Sequence, residues 1–234
     1  MRETLIVFIH GAGLNRSIWE ELLKRLDLPA LPVNFPNRFN GKANAQLTFD
    51  QYVDSVAQQI TNSSAGRFIM VAHSIGACIA LKVAGMFSKK LTGFVAISSV
   101  IPPSGGSFIS ALPFPQRFIM PVILRLSGTS PPRKVIEKEL CNDLSAEQRD
   151  KVVKEFTPES AALYTTRFHY QIPPAKRLYV KLTNDNSLPV SLQEKMALNL
   201  KADIVREIHS GHLPMISQPV KLAGIISEFW RDTD

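Results

Sequence analysis

Cysteine is scarce: Cys78 and Cys141 are the only two in 234 residues. Two thiols cannot make a disulfide framework, and Cys78 lies in an apolar helical stretch, so a reducing cytoplasmic setting is expected. No apolar run approaches the length of a membrane-crossing helix, and no integral membrane segment is expected. Leu5-Ile6-Val7-Phe8-Ile9 is too short for a signal-peptide core and runs into His10-Gly11 without a cleavage site, which marks it as a strand. No Cys/His group has zinc-ligand spacing, and no glycine-rich phosphate loop with a following Lys-Ser/Thr occurs, so neither metal nor cofactor is expected. Acidic residues are the minority charge, 20 against 27 basic, for a net +7. The basic residues are scattered, the longest clusters being pairs such as Lys89-Lys90 and Arg133-Lys134, with no aromatic interleaving. That surplus reads as a solvated basic surface, and a nucleic-acid partner is not expected.

What is present is a globular composition, 45% hydrophobic and 20% charged, on a chain long enough for one large domain with an insertion. Short apolar strands alternate with helical patterns. Thr4 to Ile9 is a strand, Ile18 to Leu26 a helical face, and Ala30 to Phe35 a strand leading into an Asn-rich loop. Thr48 with Gln51 signals a capped helix bearing Phe49, Tyr52, Val53, Val56 and Ile60. Phe68–Ala72 and Leu91–Val100 are further strands, separated by a mostly buried helix from Ile75 to Phe87. From about Ile101 to Lys176 the rhythm breaks into a proline-rich section with apolar blocks at Phe108–Phe114 and Phe118–Leu126. Two polar helices follow, one opened by Ser145 with Gln148 and one by Thr157-Pro158. Alternation then resumes with a strand at Arg177–Leu182, a helix capped by Ser191 with Glu194, and a strand at Asp203–Ile208. A final helix starts from Ser217 with Pro219. The expected architecture is α/β, a mostly parallel twisted sheet with helices on both faces. Residues 1–100 and 177–234 form its core, and 101–176 a helical lid inserted over the strand ends.

Reactive groups in such sheets collect at the carboxyl ends of strands. Ser74 sits where Phe68–Ala72 turns sharply into a helix, which strains the backbone and lifts the hydroxyl above the sheet. The turn crowds the residues two before and two after the serine, and both are small, Ala72 and Gly76. Two glycines in His10-Gly11-Ala12-Gly13 let a second strand-end loop expose its backbone N–H groups. A serine nucleophile needs a base, and the base an orienting acid. Asp185 and His212 both follow later strands, one strand–helix–strand unit apart. His209, three residues before His212, is an alternative base; Asp143 and Asp203 are alternative acids.

Four separated motifs, His10-Gly11-Ala12-Gly13, Ala72-His73-Ser74-Ile75-Gly76, Asp185-Asn186-Ser187-Leu188-Pro189 and Gly211-His212, together resemble the α/β-hydrolase superfamily. Leu178-Tyr179-Val180 and His212-Leu213-Pro214-Met215 resemble its compact branch of plant methylesterases and hydroxynitrile lyases. The resemblance implies Ser74 as nucleophile, His212 as base and Asp185 as its orienter, with an oxyanion hole from the N–H groups of Ala12 and Ile75. Ala72 departs from it, since glycine is commoner there. No role is assigned to His73, His169 or His209, while His10 is expected to brace the oxyanion loop.

The activity implied is hydrolysis of a small-molecule carboxylic ester through an acyl-enzyme on Ser74. Phe108, Phe114 and Phe118 of the lid are expected to bind the substrate, favouring small apolar esters. Arg38 and Lys42 read as solvated loop charges that could select an acidic group. Two alternatives stand beside this. Hydroxynitrile lyases typically carry threonine where Gly11 stands and lysine after the catalytic histidine, where this chain has Leu213. A non-catalytic small-molecule receptor is also compatible with the same fold.

Overall fold

The computed structural model describes residues 4–38 and 44–233; Lys42 lies outside them. Six parallel strands form one sheet in the order β2-β1-β3-β4-β5-β6. They are β1 (Thr4–Ile9), β2 (Ala30–Val33), β3 (Arg67–His73), β4 (Leu91–Ile97), β5 (Lys176–Leu182) and β6 (Ile204–Ile208). Successive side chains of a strand point to opposite faces, and here both faces are covered. Val7, Ile9, Met70, Ala72, Phe94, Ala96 and Tyr179 pack under one helical layer. Their neighbours Ile6, Phe8, Ile69, Val71, Val95, Ile97, Leu178 and Val180 pack under the other. A slip of one residue would exchange the two sets and uncover side chains whose burial contributes about 1.5–3 kcal/mol each. The register is therefore held, and it lines up the carboxyl ends: Ile9 opposite Ala72, His73 opposite Ile97, Ile97 opposite Val180.

The first layer is α2 (Phe49–Asn62), α3 (Gly76–Met86) and α9 (Val190–Leu200). The second contains α1 (Glu20–Leu23), preceded by a 3-10 turn over Arg16–Trp19, with α10 (Pro214–Ser217) and α11 (Pro219–Arg231). The expected helix from Ile18 to Leu26 is thus a 3-10 turn followed by a single α-helical turn ending at Leu23, although Ile18, Trp19, Leu22 and Leu26 are buried as its pattern requires. Between β4 and β5 lie α4 (Phe108–Ala111), α5 (Gln116–Ser127), α6 (Arg133–Leu140), α7 (Ala146–Glu155) and α8 (Ala161–Thr165), with no strand among the described residues.

The capping boxes of Thr48 with Gln51 and Ser145 with Gln148 form as their sequences require. Three other expected helix starts are displaced. Ser160, not Thr157, caps α8, its hydroxyl accepting the Ala162 N–H at 3.1 Å, while the Thr157 N–H donates to the Gly13 carbonyl at 2.9 Å. Pro189 stands at the start of α9, where its carbonyl accepts the N–H groups of Leu192 and Gln193, so Ser191 lies inside the helix. Ser217 ends α10 instead of capping α11, and its hydroxyl bonds that of Ser210 at 2.9 Å.

Candidate active site

Ser74 occupies the junction of β3 and α3 with φ +55°, a left-handed conformation that costs a non-glycine residue about 1–3 kcal/mol. Its neighbours hold it there. The Ser74 N–H donates to the Ile97 carbonyl at 3.2 Å, and its own carbonyl accepts the N–H groups of Ala77 and Val100 at 3.3 Å. A Cβ on Gly76 would stand 2.4 Å from the His10 carbonyl oxygen. Only glycine permits that approach, so the first turn of α3 rests directly on the end of β1. Ala72 is fully buried in the first core layer, which accommodates its methyl group.

The loop after β1 is then brought beside the serine. A Cβ on Gly11 would lie 3.0 Å from Ser74 Cβ. Buried His10 spans this loop: its Nδ1 donates to the Gly11 carbonyl at 2.8 Å, and its Nε2 accepts the Phe35 N–H at 3.1 Å. Burial, with the Arg38 charge, lowers its pKa to about 3, so the ring is neutral and both bonds keep their direction. Ala12 follows Gly11 in the loop after β1, and Ile75 follows Ser74 as the N-cap of α3. Neither N–H donates to a described residue.

His212, in the loop after β6, is buried, and its Nδ1 donates to Asp185 Oδ2 at 2.7 Å. Asp185 follows β5 and is almost wholly enclosed. Its Oδ2 also accepts the Ser98 hydroxyl at 2.6 Å, while Oδ1 accepts the N–H groups of Ser187 and Leu188 at 2.7 and 3.1 Å. Burial pushes this carboxyl up, but the His212 charge and the hydrogen bonds outweigh it and hold the pKa below the usual range. Ser98, itself at φ +37° where β4 ends, is a partner that sequence reasoning missed. His73 packs its ring 4.6 Å from that of His212 and donates Nε2–H to the His212 carbonyl at 2.9 Å. Burial, then the charge of His212, keeps His73 neutral, its pKa well below the ordinary value.

The alternatives are occupied elsewhere. His209 is exposed and bonds Thr183. Asp203 pairs with Arg177 at the opposite end of the sheet. Asp143 accepts the Gly211 N–H at 2.6 Å and the Ser210 hydroxyl at 3.2 Å, so it secures the histidine loop by its backbone and not by its ring. His169 is exposed against Gly105.

The helical segment after β4 is stitched to these loops. Gly13, at φ +75°, is held on both backbone groups, its N–H by Glu159 Oε1 at 3.0 Å and its carbonyl by Thr157 N–H. The Phe156 ring fills the space where a Gly13 side chain would stand. Glu159 is buried and also takes the Arg38 guanidinium and the Tyr52 hydroxyl, the latter at 3.0 Å. Burial raises the Glu159 pKa against the pull of Arg38. Arg38 is thus a buried structural cation, not the solvated loop charge expected from sequence. Asn142 donates to the Asn184 carbonyl, and Asn186 and Ser187 donate to the carbonyls of Lys138 and Glu139. Of the three phenylalanines expected near substrate, Phe108 is half-buried with its ring 5.7 Å from Tyr164. Phe114 and Phe118 are instead 75% and 59% exposed. Among the described residues no three His, Cys, Asp or Glu side chains converge as a metal site.

Comparison with known proteins follows the same lines. The family model described as "Alpha/beta hydrolase family" matches residues 6–225. The putative chloroplastic methylesterase 11 of Arabidopsis thaliana is 24% identical over 255 residues; the match covers 96% of this chain but only 63% of that protein. An extracellular α/β-hydrolase from a Paenibacillus species superposes with a TM-score of 0.84 at 18% identity, covering 96% of this chain and 98% of that one. The methylesterase MES16 from Arabidopsis superposes with a TM-score of 0.78 at 17% identity, covering 97% and 99%. A match over residues 6–225, joined to the parallel sheet and to Ser74 on its strained turn, places this chain in the α/β-hydrolase family.

Proposed function

We propose that the protein is an esterase that cleaves small carboxylic esters through an acyl-enzyme on Ser74. The observation that carries this is the enclosed Asp185–His212 pair, 2.7 Å apart, at the same sheet edge as a serine held at φ +55°. Asp185 accepts from Nδ1, which leaves the Nε2 lone pair of His212 to take a proton. In the first step Ser74 Oγ bonds to the ester carbonyl carbon while its proton passes to Nε2. The carbonyl π pair moves to oxygen, where the N–H groups of Ala12 and Ile75 stabilise it. Collapse expels the alcohol, which leaves with the proton from His212. Water then repeats the sequence on the acyl-enzyme, releasing the acid and restoring Ser74.

The helical segment between β4 and β5 serves as the cap of this site, and Phe108 is the phenylalanine we retain as lining for an apolar acyl group. The bonds of Glu159 and Thr157 to Gly13 support that reading, because they make cap and oxyanion loop one unit. The buried free thiols of Cys78 and Cys141, the latter pushed up to about 12 by burial, fit a cytoplasmic protein. A lyase of the hydroxynitrile type is disfavoured by Gly11, whose Cβ position is already 3.0 Å from both Ser74 Cβ and His73 Nδ1, and by Leu213 after the histidine.

The test is covalent labelling with a fluorophosphonate, followed by p-nitrophenyl esters from acetate to palmitate below their micelle concentrations. Wild type should label and Ser74→Ala should not, and specificity should peak at about four to eight carbons, since each buried methylene contributes about 0.8 kcal/mol until the pocket is filled. Labelling of a peptide lacking Ser74, or no ester turnover above the Ser74→Ala background, overturns the proposal.

A further inference from the structure

Helix α5 is built inside out. In an ordinary surface helix the apolar stripe faces the core, as in α2, whose Phe49, Tyr52, Val53, Val56 and Ile60 are all buried. In α5 the positions Phe118, Ile119, Val122, Ile123 and Leu126 form one stripe at three- and four-residue spacing, and all five are exposed. Leu126 is 79% exposed, and Leu124, on the opposite side, is the single buried residue of the helix. Phe114 extends the stripe, its ring 6.1 Å from that of Phe118. A contiguous apolar face of this kind on a surface element marks a binding surface.

Charge identifies what covers it. Arg117 and Arg125 lie on the same helix, and no acidic residue occurs in the sequence between Asp54 and Glu137. Among the described residues neither arginine meets a carboxylate; Arg117 lies over the Phe118 ring at 4.9 Å. In a two-fold contact of α5 with its own copy these cations would face their equals, since the helix carries no acidic residue of its own. An anionic lipid surface satisfies both features, because phosphate headgroups meet the guanidinium groups while the stripe enters the acyl boundary. Twelve residues are too few to cross a bilayer, so the helix lies in its surface plane.

We propose that α5 is an interfacial helix that seats the protein on membranes carrying anionic lipid. The inference stands apart from the reaction proposed for Ser74.

The experiment is co-sedimentation of the full chain with vesicles of phosphatidylcholine alone and of phosphatidylcholine with one-third phosphatidylglycerol. Binding should require the anionic lipid and weaken as salt rises from 0.05 to 0.5 M. Arg117→Gln with Arg125→Gln should weaken it about 25-fold, about five-fold per cation. Val122→Ser and Leu126→Ser should each weaken it about ten-fold at unchanged melting temperature, since both side chains are exposed in the free protein. Equal binding to both vesicle types, no binding to either, or binding unmoved by these variants overturns the proposal. So does a dimer in light scattering that Val122→Ser dissolves, because the stripe would then belong to a second copy.

Discussion

Replacing Asp185 by asparagine tests the candidate site at its most fully specified point. The carboxylate accepts four hydrogen bonds, from Ser98 Oγ, Ser187 N–H, Leu188 N–H and His212 Nδ1–H. An asparagine of the same shape keeps its oxygen toward the two N–H groups, which have no other partner in the turn. Its NH₂ group then occupies the former Oδ2 position. Ser98 adapts by rotating its hydroxyl to accept. His212 adapts only by changing tautomer, presenting a bare Nδ1 and moving its proton to Nε2. In that form it cannot take the proton of Ser74, and any imidazolium that forms has lost its buried counter-charge.

The expected loss in kcat is therefore about 10³–10⁴-fold, or about 4–5.5 kcal/mol of transition-state stabilisation. Stability should change by about 1 kcal/mol or less, because Ser98, Ser187, Leu188 and His212 each keep a hydrogen bond to residue 185. The assay is kcat on p-nitrophenyl butyrate with thermal melting on the same preparation, and the fluorophosphonate labelling rate should fall in parallel. Ser98→Ala, which removes one donor and leaves the tautomer alone, should cost only about ten-fold. Activity within ten-fold of wild type in a folded Asp185→Asn protein would refute the reasoning. Asp143→Asn is the contrasting control: its carboxylate meets the Gly211 backbone and the Ser210 hydroxyl, so its loss should appear in stability before chemistry.

His212→Ala should be as damaging as Ser74→Ala, since members of such a unit fail together, whereas exposed His209→Ala should leave kcat within about two-fold; the reverse order assigns the base to His209. Acid should destabilise the fold well above the carboxylate range. His10, lowered to about 3, and His73, also lowered, exclude protons that the unfolded chain binds below about pH 6.5. The stability these groups contribute is therefore present above about pH 6.5 and falls as pH drops toward the native values, by about 1.7 kcal/mol for His10 between pH 6.5 and 5, with His73 adding in the same direction. Urea unfolding at the two pH values measures this; His10→Gln should shrink the drop, and a midpoint independent of pH rejects it. Glu159→Leu should cost about 3–5 kcal/mol by stranding buried Arg38, with much of it recovered in Arg38→Met/Glu159→Leu. If the double variant melts no higher than the single one, the pair is not what the Gly13 loop depends on.

How far the sequence foretold this molecule follows from the range of the forces involved. Strands buried on both faces are nearly pure apolar runs, and a strained serine turn demands small neighbours at fixed spacing, so β1, β3, β4 and the Ser74 turn could be read directly. Asp185 and His212 were legible as candidates by their place after β5 and β6, and the structure sets them 2.7 Å apart. The clamp on Gly13 was not: Glu159 and Arg38 are single charges in unlike surroundings, far apart in the chain, and only the fold makes them partners. The misplaced helix starts have a common cause. Thr157, Ser191 and Ser217 have the local chemistry of caps, but the carbonyls of Gly13 and Pro189 and the hydroxyl of Ser210 bind those segments in other ways. Helix α5 shows a different limit. Its periodicity correctly announces one apolar face, yet spacing carries no information about which way that face points. The same residues would spell a cap helix closing over a pocket or a helix resting on lipid. What separates the two is burial: Leu124 is enclosed while Phe118, Val122 and Leu126 stand in solvent. An apolar stripe is thus a statement that something will cover it, and only the fold tells whether this chain supplies the cover itself.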